Sequence, residues 1–186
     1  MIKKRFPKEG WEAIAPAFVC DEKQYFYLRV NPIGVEDSII ATETLLDHEP
    51  TEQDVEEFYA EVLRNTIRLK TLAIEEYAKT SAVKTYNING VAGWEDSDAR
   101  TSISKAATDK ENAGRTEYTL YHGGVGFVVT PARVREILSA VEVYASDCYD
   151  TTEHHKAAIK DMTDIQEVED YDFTLDYPEV PNFEVA

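Results

Sequence analysis

The sequence predicts an α+β fold: long helices, one with a heptad register, plus short β-hairpins and an extended acidic C-terminal arm. Three observations predict it. Apolar residues recur at helical spacing over two long stretches, near 52–79 and 131–162. Asn89-Gly90 and Gly123-Gly124 each lie between short β-like runs, which is tight-hairpin chemistry. No Lys or Arg follows Lys160, while Asp and Glu crowd the remainder, a sharp composition shift. The expected organisation is a segment 1–80, β-like and then helical, that could serve as a docking region. An α+β domain 81–186 follows, with its acidic arm from 163.

In the first segment, "QYFYLRV" (24–30) is aromatic and β-branched and reads as a strand ending at Asn31-Pro32. "DSIIATETLL" (37–46) reads as a second strand, or a strand running into a turn. Pro7, Pro16 and Pro32 break up the region. Thr51 then has N-cap chemistry, with Glu52, Asp54, Glu56 and Glu57 crowding the positive end of the helix dipole. Val55, Phe58, Val62, Leu69 and Leu72 form one stripe of this helix, widened by Tyr59, Leu63, Ile67, Ala73 and Tyr77.

After the Asn89-Gly90 hairpin, "SDARTSISKAATDKENAG" predicts a helix capped by Ser97 or Asp98 and stopped at Gly114. Thr130-Pro131 supplies the N-cap and first position of the last helix. There Val134, Leu138, Val141, Ala145, Cys148, Thr152, His155, Ile159 and Met162 alternate steps of four and three. That spacing is a heptad register and favours packing along a partner helix, in another copy or in the same chain. The nine residues are therefore candidate interface positions, with Thr152 and His155 as polar breaks. The alternative is a break near Asp150-Thr151-Thr152, giving two helices in one core.

Residues 171–177 alternate. On an extended chain Tyr171, Phe173, Leu175 and Tyr177 face one way, and Asp170, Asp172, Thr174 and Asp176 the other. Three aspartates in a row raise a metal site or a catalytic cluster. Alternate strand residues stand about 7 Å apart, too spread to converge on one ion unaided. They read better as charges that guard an edge. The aromatic side, held extended by Pro178 and Pro181, is the candidate contact surface.

Composition narrows the function classes. The chain of 186 residues carries 36 acids against 19 bases, a formal charge of −17. Nucleic acid needs phosphate neutralisation, so it is a poor partner, and an anionic membrane surface is disfavoured for the same reason. No apolar stretch marks a leader or a membrane insertion. Cys20 and Cys148 have no metal or redox spacing and suit a reducing compartment.

No candidate site rises to an enzymatic signature, and no cofactor is expected. His154 and His155 point about 100° apart on a helix and lack the i, i+4 spacing of a metalloprotease. "HGGVGF" (122–127) is not followed by GxSxG or by GKS/GKT, and reads as a hairpin turn. Glu95, Asp96 and Asp98 lack calcium-loop spacing and read as helix-capping acids. Cys148 lies on an apolar stripe, and His48 precedes a helix without a nameable partner.

The order of these elements carries a resemblance. "YNINGV", "DARTSISKAATDKENAG", "TLYHGGVGFVVT" and "ILSAVEVYASDCYDTTEHHKAAIKDMTDIQEVEDYDFTLDYPEVPNF" together resemble a phage-associated domain of unknown function. That family sits at the ends of tail-fibre-type and other virion appendage proteins, and the resemblance covers roughly residues 80–183. A weaker likeness is to tail-fibre assembly chaperones. Ala157 to Met162 followed by Tyr177-Pro178-Glu179-Val180-Pro181 is similar to their closing pattern, without its arginines. The resemblance implies a structural component of a phage or prophage virion, made in the host bacterial cytoplasm. It implies a homo-oligomer, a trimer among the options, that contacts other virion proteins. The rival readings are an assembly chaperone and, in another class, a metal-dependent hydrolase using the acidic tail.

Overall fold

The computed structural model describes residues 1–9 and 26–185. Pro16, Cys20 and the start of the 24–30 run lie outside them. The described chain is mixed α+β, with four helices and small sheets. It divides into two compact units, residues 1–71 with 159–171, and residues 72–158 with 172–186.

The first unit is built on strands β1 (Ile2–Pro7), β2 (Phe26–Val35) and β3 (Ser38–Leu46), ordered β1-β3-β2 and antiparallel throughout. The sequence stops β2 at Asn31-Pro32, but the strand runs on. Pairing skips from Val30↔Thr42 to Ile33↔Ile40, so β2 carries one extra residue there, and Asn31 takes a φ of +52°. This bulge lifts Pro32 out of the ladder, where its missing N–H would otherwise cost a bond. Helix α1 (Glu52–Tyr77) starts at a reciprocal capping box. Thr51 Oγ1 accepts from Asp54 N (3.2 Å), and the Asp54 carboxylate accepts from Thr51 N (2.8 Å). Phe58 and Val62 of α1 pack on Leu28 and Val30 of β2, together with Ile165.

Arg29 and Glu43 are cross-strand partners in this sheet. They form an ion pair of 2.8 Å with side chains 7% and 5% exposed. Lys4 also meets the Glu43 carboxylate, and the Arg29 guanidinium lies 4.6 Å over the Phe6 ring. A buried pair is costly to break because the survivor is left charged in a poorly solvated place. Glu43→Ala should therefore lower stability by about 3–5 kcal/mol, while Arg29→Met with Glu43→Leu recovers most of that loss. Urea unfolding of the three proteins measures both outcomes.

The second unit holds three small elements around two helices. Strands β4 (Tyr86–Ile88) and β5 (Val91–Gly93) form the first hairpin. Its turn has φ of +47° at Asn89 and +78° at Gly90, the left-handed pair that type I′ geometry requires. Strands β6 (Tyr118–His122) and β7 (Val125–Val129) form the second, turning at Gly123-Gly124. Between them helix α2 (Ser97–Asn112) is capped by Asp96, whose side chain accepts from Ala99 N. The sequence placed that cap one or two residues later, at Ser97 or Asp98. Helix α3 (Pro131–Lys160) is continuous through Asp150–Thr152, so the alternative of two shorter helices is not what forms. Tyr86, Ile88, Leu120, Ile137 and Val141 are among the residues of its core.

Residues 163–185 are not one extended strand. Asp164 caps the short helix α4 (Ile165–Asp170), accepting from Gln166 N and Glu167 N. Turns follow, and only Asn182–Phe183 forms a strand, β8, parallel to β4. The aspartates make the difference, because short carboxylates bond their own backbone and tolerate left-handed φ. Asp172 Oδ1 accepts from Thr174 N (2.9 Å) and Thr174 Oγ1 (2.7 Å), and Asp176 sits at φ +63°. Asp170 accepts from Gln166 one helical turn back.

Candidate functional site

The second unit contains a cleft of about 440 Å³. Its apolar wall is Ala78, Val83, Trp94, Ala145 and Cys148, and Lys79, Lys84, Arg100 and Lys156 stand around it. Glu75, Asp96 and Glu153 line it too, and Lys156 pairs with Glu75 and Glu153. Arg100 fixes the wall. Its Nε and Nη2 donate to the Glu142 carboxylate at 2.8 and 3.1 Å, its Nη1 donates to the Glu95 carbonyl, and its guanidinium stacks 5.0 Å from the Trp94 ring. The hydrogen bond from Arg100 holds the Glu142 carboxyl below its ordinary value.

Among the described residues, Cys148 is the one thiol in the cleft. Burial pushes the Cys148 thiol up, so it stays protonated and weakly nucleophilic near neutrality. The neighbouring Tyr144 hydroxyl donates to the Val83 carbonyl at 2.7 Å, and burial raises it further from ionisation.

Behind Trp94 lies a polar cluster that sequence reading missed. Glu95, taken there for a capping acid, instead accepts a short hydrogen bond from the Tyr86 hydroxyl and pairs with His122 Nδ1 at 3.0 Å. His122 Nε2 meets the Tyr86 carbonyl at 3.1 Å. Both ring nitrogens thus lie within hydrogen-bond distance of an oxygen. The ring is 1% exposed and stacks 4.2 Å from the Tyr86 ring. Burial, then the bond to Glu95, raises the Tyr86 phenol well above its ordinary value.

Two glycines make room for this cluster. A Cβ on Gly93 would stand 2.6 Å from His122 Cε1, and one on Gly123 would stand 2.5 Å from the Ala92 carbonyl oxygen. The glycines of "AGW" and "HGG" therefore serve the close approach of two hairpins as well as a turn. The only sequence signal was their recurrence beside an aromatic, a histidine and an acid.

The nine heptad positions of α3 fall largely inside the chain. Val134, Leu138 and Val141 belong to the core of the second unit. Cys148 packs with Val83 and Tyr144, beside Tyr77, Trp94 and Tyr177. Thr152 and His155 are buried and bonded. Thr152 Oγ1 meets the Cys148 carbonyl (2.8 Å) and the Tyr177 hydroxyl (3.0 Å), and His155 Nε2 donates to the Leu175 carbonyl (3.0 Å). Ile159 is fully buried, Ala145 lines the cleft, and Met162 is half-buried.

The four tail positions separate. Phe173 and Tyr177 pack edge-on against Tyr77 at 5.7 and 5.6 Å between centroids. Leu175 is 56% exposed. Tyr171 is half-buried in the first unit, where its carbonyl and that of Glu169 accept from Lys70 Nζ. His154 is exposed, and His48 bridges Asp47 and Asp54. Among the described residues no three His, Cys, Asp or Glu side chains gather to hold a metal ion, and no helix is long and apolar enough to cross a membrane.

No protein-family model, no curated protein and no solved structure matches the chain.

Two outcomes follow from this geometry. Gly93→Ala should destabilise the protein by about 1–3 kcal/mol by driving a methyl into His122. Gly34→Ala, with nothing within 4 Å of the added Cβ, should meet no clash and is the control. Thermal melts compare them. Glu142 gives the second. Its folded value lies below its unfolded one, so its stabilisation is complete above the ordinary 4.5 and is lost as pH falls through the folded value. Glu142→Gln should therefore weaken the protein near neutrality and flatten the acid limb of its urea midpoint against pH.

Proposed function

We propose that the protein is a structural component of a bacteriophage or prophage virion, in a tail fibre or similar appendage, and acts through protein–protein contacts in an oligomer. The observation that carries this reading is the outer face of the β6–β7 hairpin. From Tyr118 to Val129 the chain has no Asp, Glu, Lys or Arg, in a protein of net charge −17. The hairpin alternates, so Leu120, His122 and Val129 point inward while Thr119, Tyr121, Gly126 and Val128 face outward. Tyr121 is 71% and Val128 56% exposed. A charge-free, aromatic patch on a rigid hairpin is the composition of an interface core.

The resemblance over residues 80–183 supplies the setting. In this reading the period-seven stripe of α3 builds the subunit itself, and the contacts between subunits fall on outward faces. Tyrosine at the patch centre is the residue type that most often dominates such contacts.

Replacing Tyr121 by Ala and Val128 by Ser should weaken self-association about tenfold or more, with the melting temperature little changed. Analytical ultracentrifugation and native mass spectrometry read the first effect. Mass spectrometry of purified particles asks whether the chain is a virion component at all. A monomer at micromolar concentration that is absent from particles sinks the reading; co-purification with a fibre protein but absence from particles turns it into the assembly chaperone.

A further inference from the structure

The turn residue Asn89 does more than turn the chain. Its side-chain amide grips the backbone of Val185 at both ends: Nδ2 donates to the Val185 carbonyl and Oδ1 accepts from the Val185 N–H, each at 2.8 Å. Around that clamp, Asn87 N donates to the Pro181 carbonyl and Asn89 N to the Phe183 carbonyl, both at 2.9 Å. Arg133 Nη2 donates to the Glu184 carbonyl at 3.1 Å. Phe183 and Val185 pack on the core, the Phe183 ring 6.0 Å from Tyr86. Strand β8 and the two residues after it are thus held against the hairpin, by main-chain bonds and by the Phe183 and Val185 side chains.

The residue after Asn89 is Gly90, and Asn89 is exposed. Glycine has no side chain to shield its backbone nitrogen. We propose that Asn89 is a site of spontaneous deamidation, held off while residues 182–185 are docked and, once converted, unable to hold them. The Gly90 backbone nitrogen attacks Cγ of Asn89 and forms a C–N bond. The bond from Cγ to Nδ2 breaks, and Nδ2 leaves as ammonia with the proton lost by the Gly90 nitrogen. Water then opens the five-membered imide at one of its two ring C–N bonds, leaving aspartate or isoaspartate. Nothing is oxidised or reduced, and water is the only co-reactant.

Docking and this reaction exclude each other. The two bonds to Val185 fix the orientation of the amide, and in the proposed reaction they open before Cγ meets the Gly90 nitrogen. The product in turn places a carboxylate oxygen where Nδ2 stood, so an acceptor faces the Val185 carbonyl acceptor. Isoaspartate also lengthens the backbone within a two-residue turn that has no slack. This inference rests on the β4–β8 geometry and not on the proposed virion role.

The test follows the full-length chain in warm, mildly alkaline buffer by peptide mass spectrometry with isoaspartate detection. Phe183→Ala loosens the docked segment and should convert Asn89 at least about tenfold faster than the wild type, approaching the urea-unfolded chain. Arg133→Ala, which keeps every core residue, should shift the rate the same way by less. In Asn89→Asp, hydrogen exchange at the Asn87 and Asn89 amides should lose its protection. Equal conversion in wild type and both variants, or an Asn89→Asp protein that keeps that protection, overturns the proposal.

Discussion

The second unit depends on one close approach, that of the two hairpins at His122. The imidazole fills the space that a side chain at Gly93 would take, a side chain at Gly123 would run into the Ala92 backbone, and the two ring nitrogens meet Glu95 and the Tyr86 carbonyl. A buried imidazole is tolerable only where both of its nitrogens find partners. That condition fixes where Glu95 must lie, and so where Trp94 and Asp96 lie on either side of it. Asp96 then starts α2, and Trp94 receives Arg100. A helix start, a cleft wall and a core layer therefore share one origin in a polar cluster.

The same logic explains the polar members of the heptad stripe. Thr152 and His155 look like flaws in an apolar seam. In the fold they are addresses, one for the Tyr177 hydroxyl and one for the Leu175 carbonyl. Apolar residues at these two positions would pack but would leave those groups unpaired. The acidic segment beyond α4 thereby gains a defined course over α3. Its aspartates shape the turns between these anchors, which is why the period-two pattern of 171–177 does not become a strand.

Much of this was legible in the sequence. The α+β class, both hairpin turns, the starts of α1 and α3 and the stop at Gly114 came from local rules: left-handed turn residues, capping side chains and helical periodicity. What was not legible depends on partners far along the chain. The bulge that lets β2 pass through Pro32 exists because β3 lies alongside it. The Asp96 cap differs from Ser97 by one residue, and both have capping chemistry. Glu95 and His122 stand 27 residues apart with no motif linking them. Periodicity pointed to many of the buried α3 residues but missed Ile137 and Tyr144, and it did not say what covers them, since a period of seven is the same whether the covering surface comes from this chain or another.

Charge decides where contacts between chains can form. A body of net charge −17 repels its copies, and partners of like charge, over about a Debye length. Association then has to gain its free energy where repulsion is weakest and apolar area largest. In the proposed role, the outer face of the β6–β7 hairpin offers exposed apolar surface without Asp, Glu, Lys or Arg. It presents Thr119, Tyr121, Gly126 and Val128 from a stretch without Asp, Glu, Lys or Arg, its one histidine, His122, being buried. The Tyr121 ring also lies against the bare Gly126 backbone, its Cε1 only 3.2 Å from where a Cβ would be. A side chain at residue 126 would crowd that ring, so glycine there leaves the Tyr121 ring room to lie across its neighbour strand.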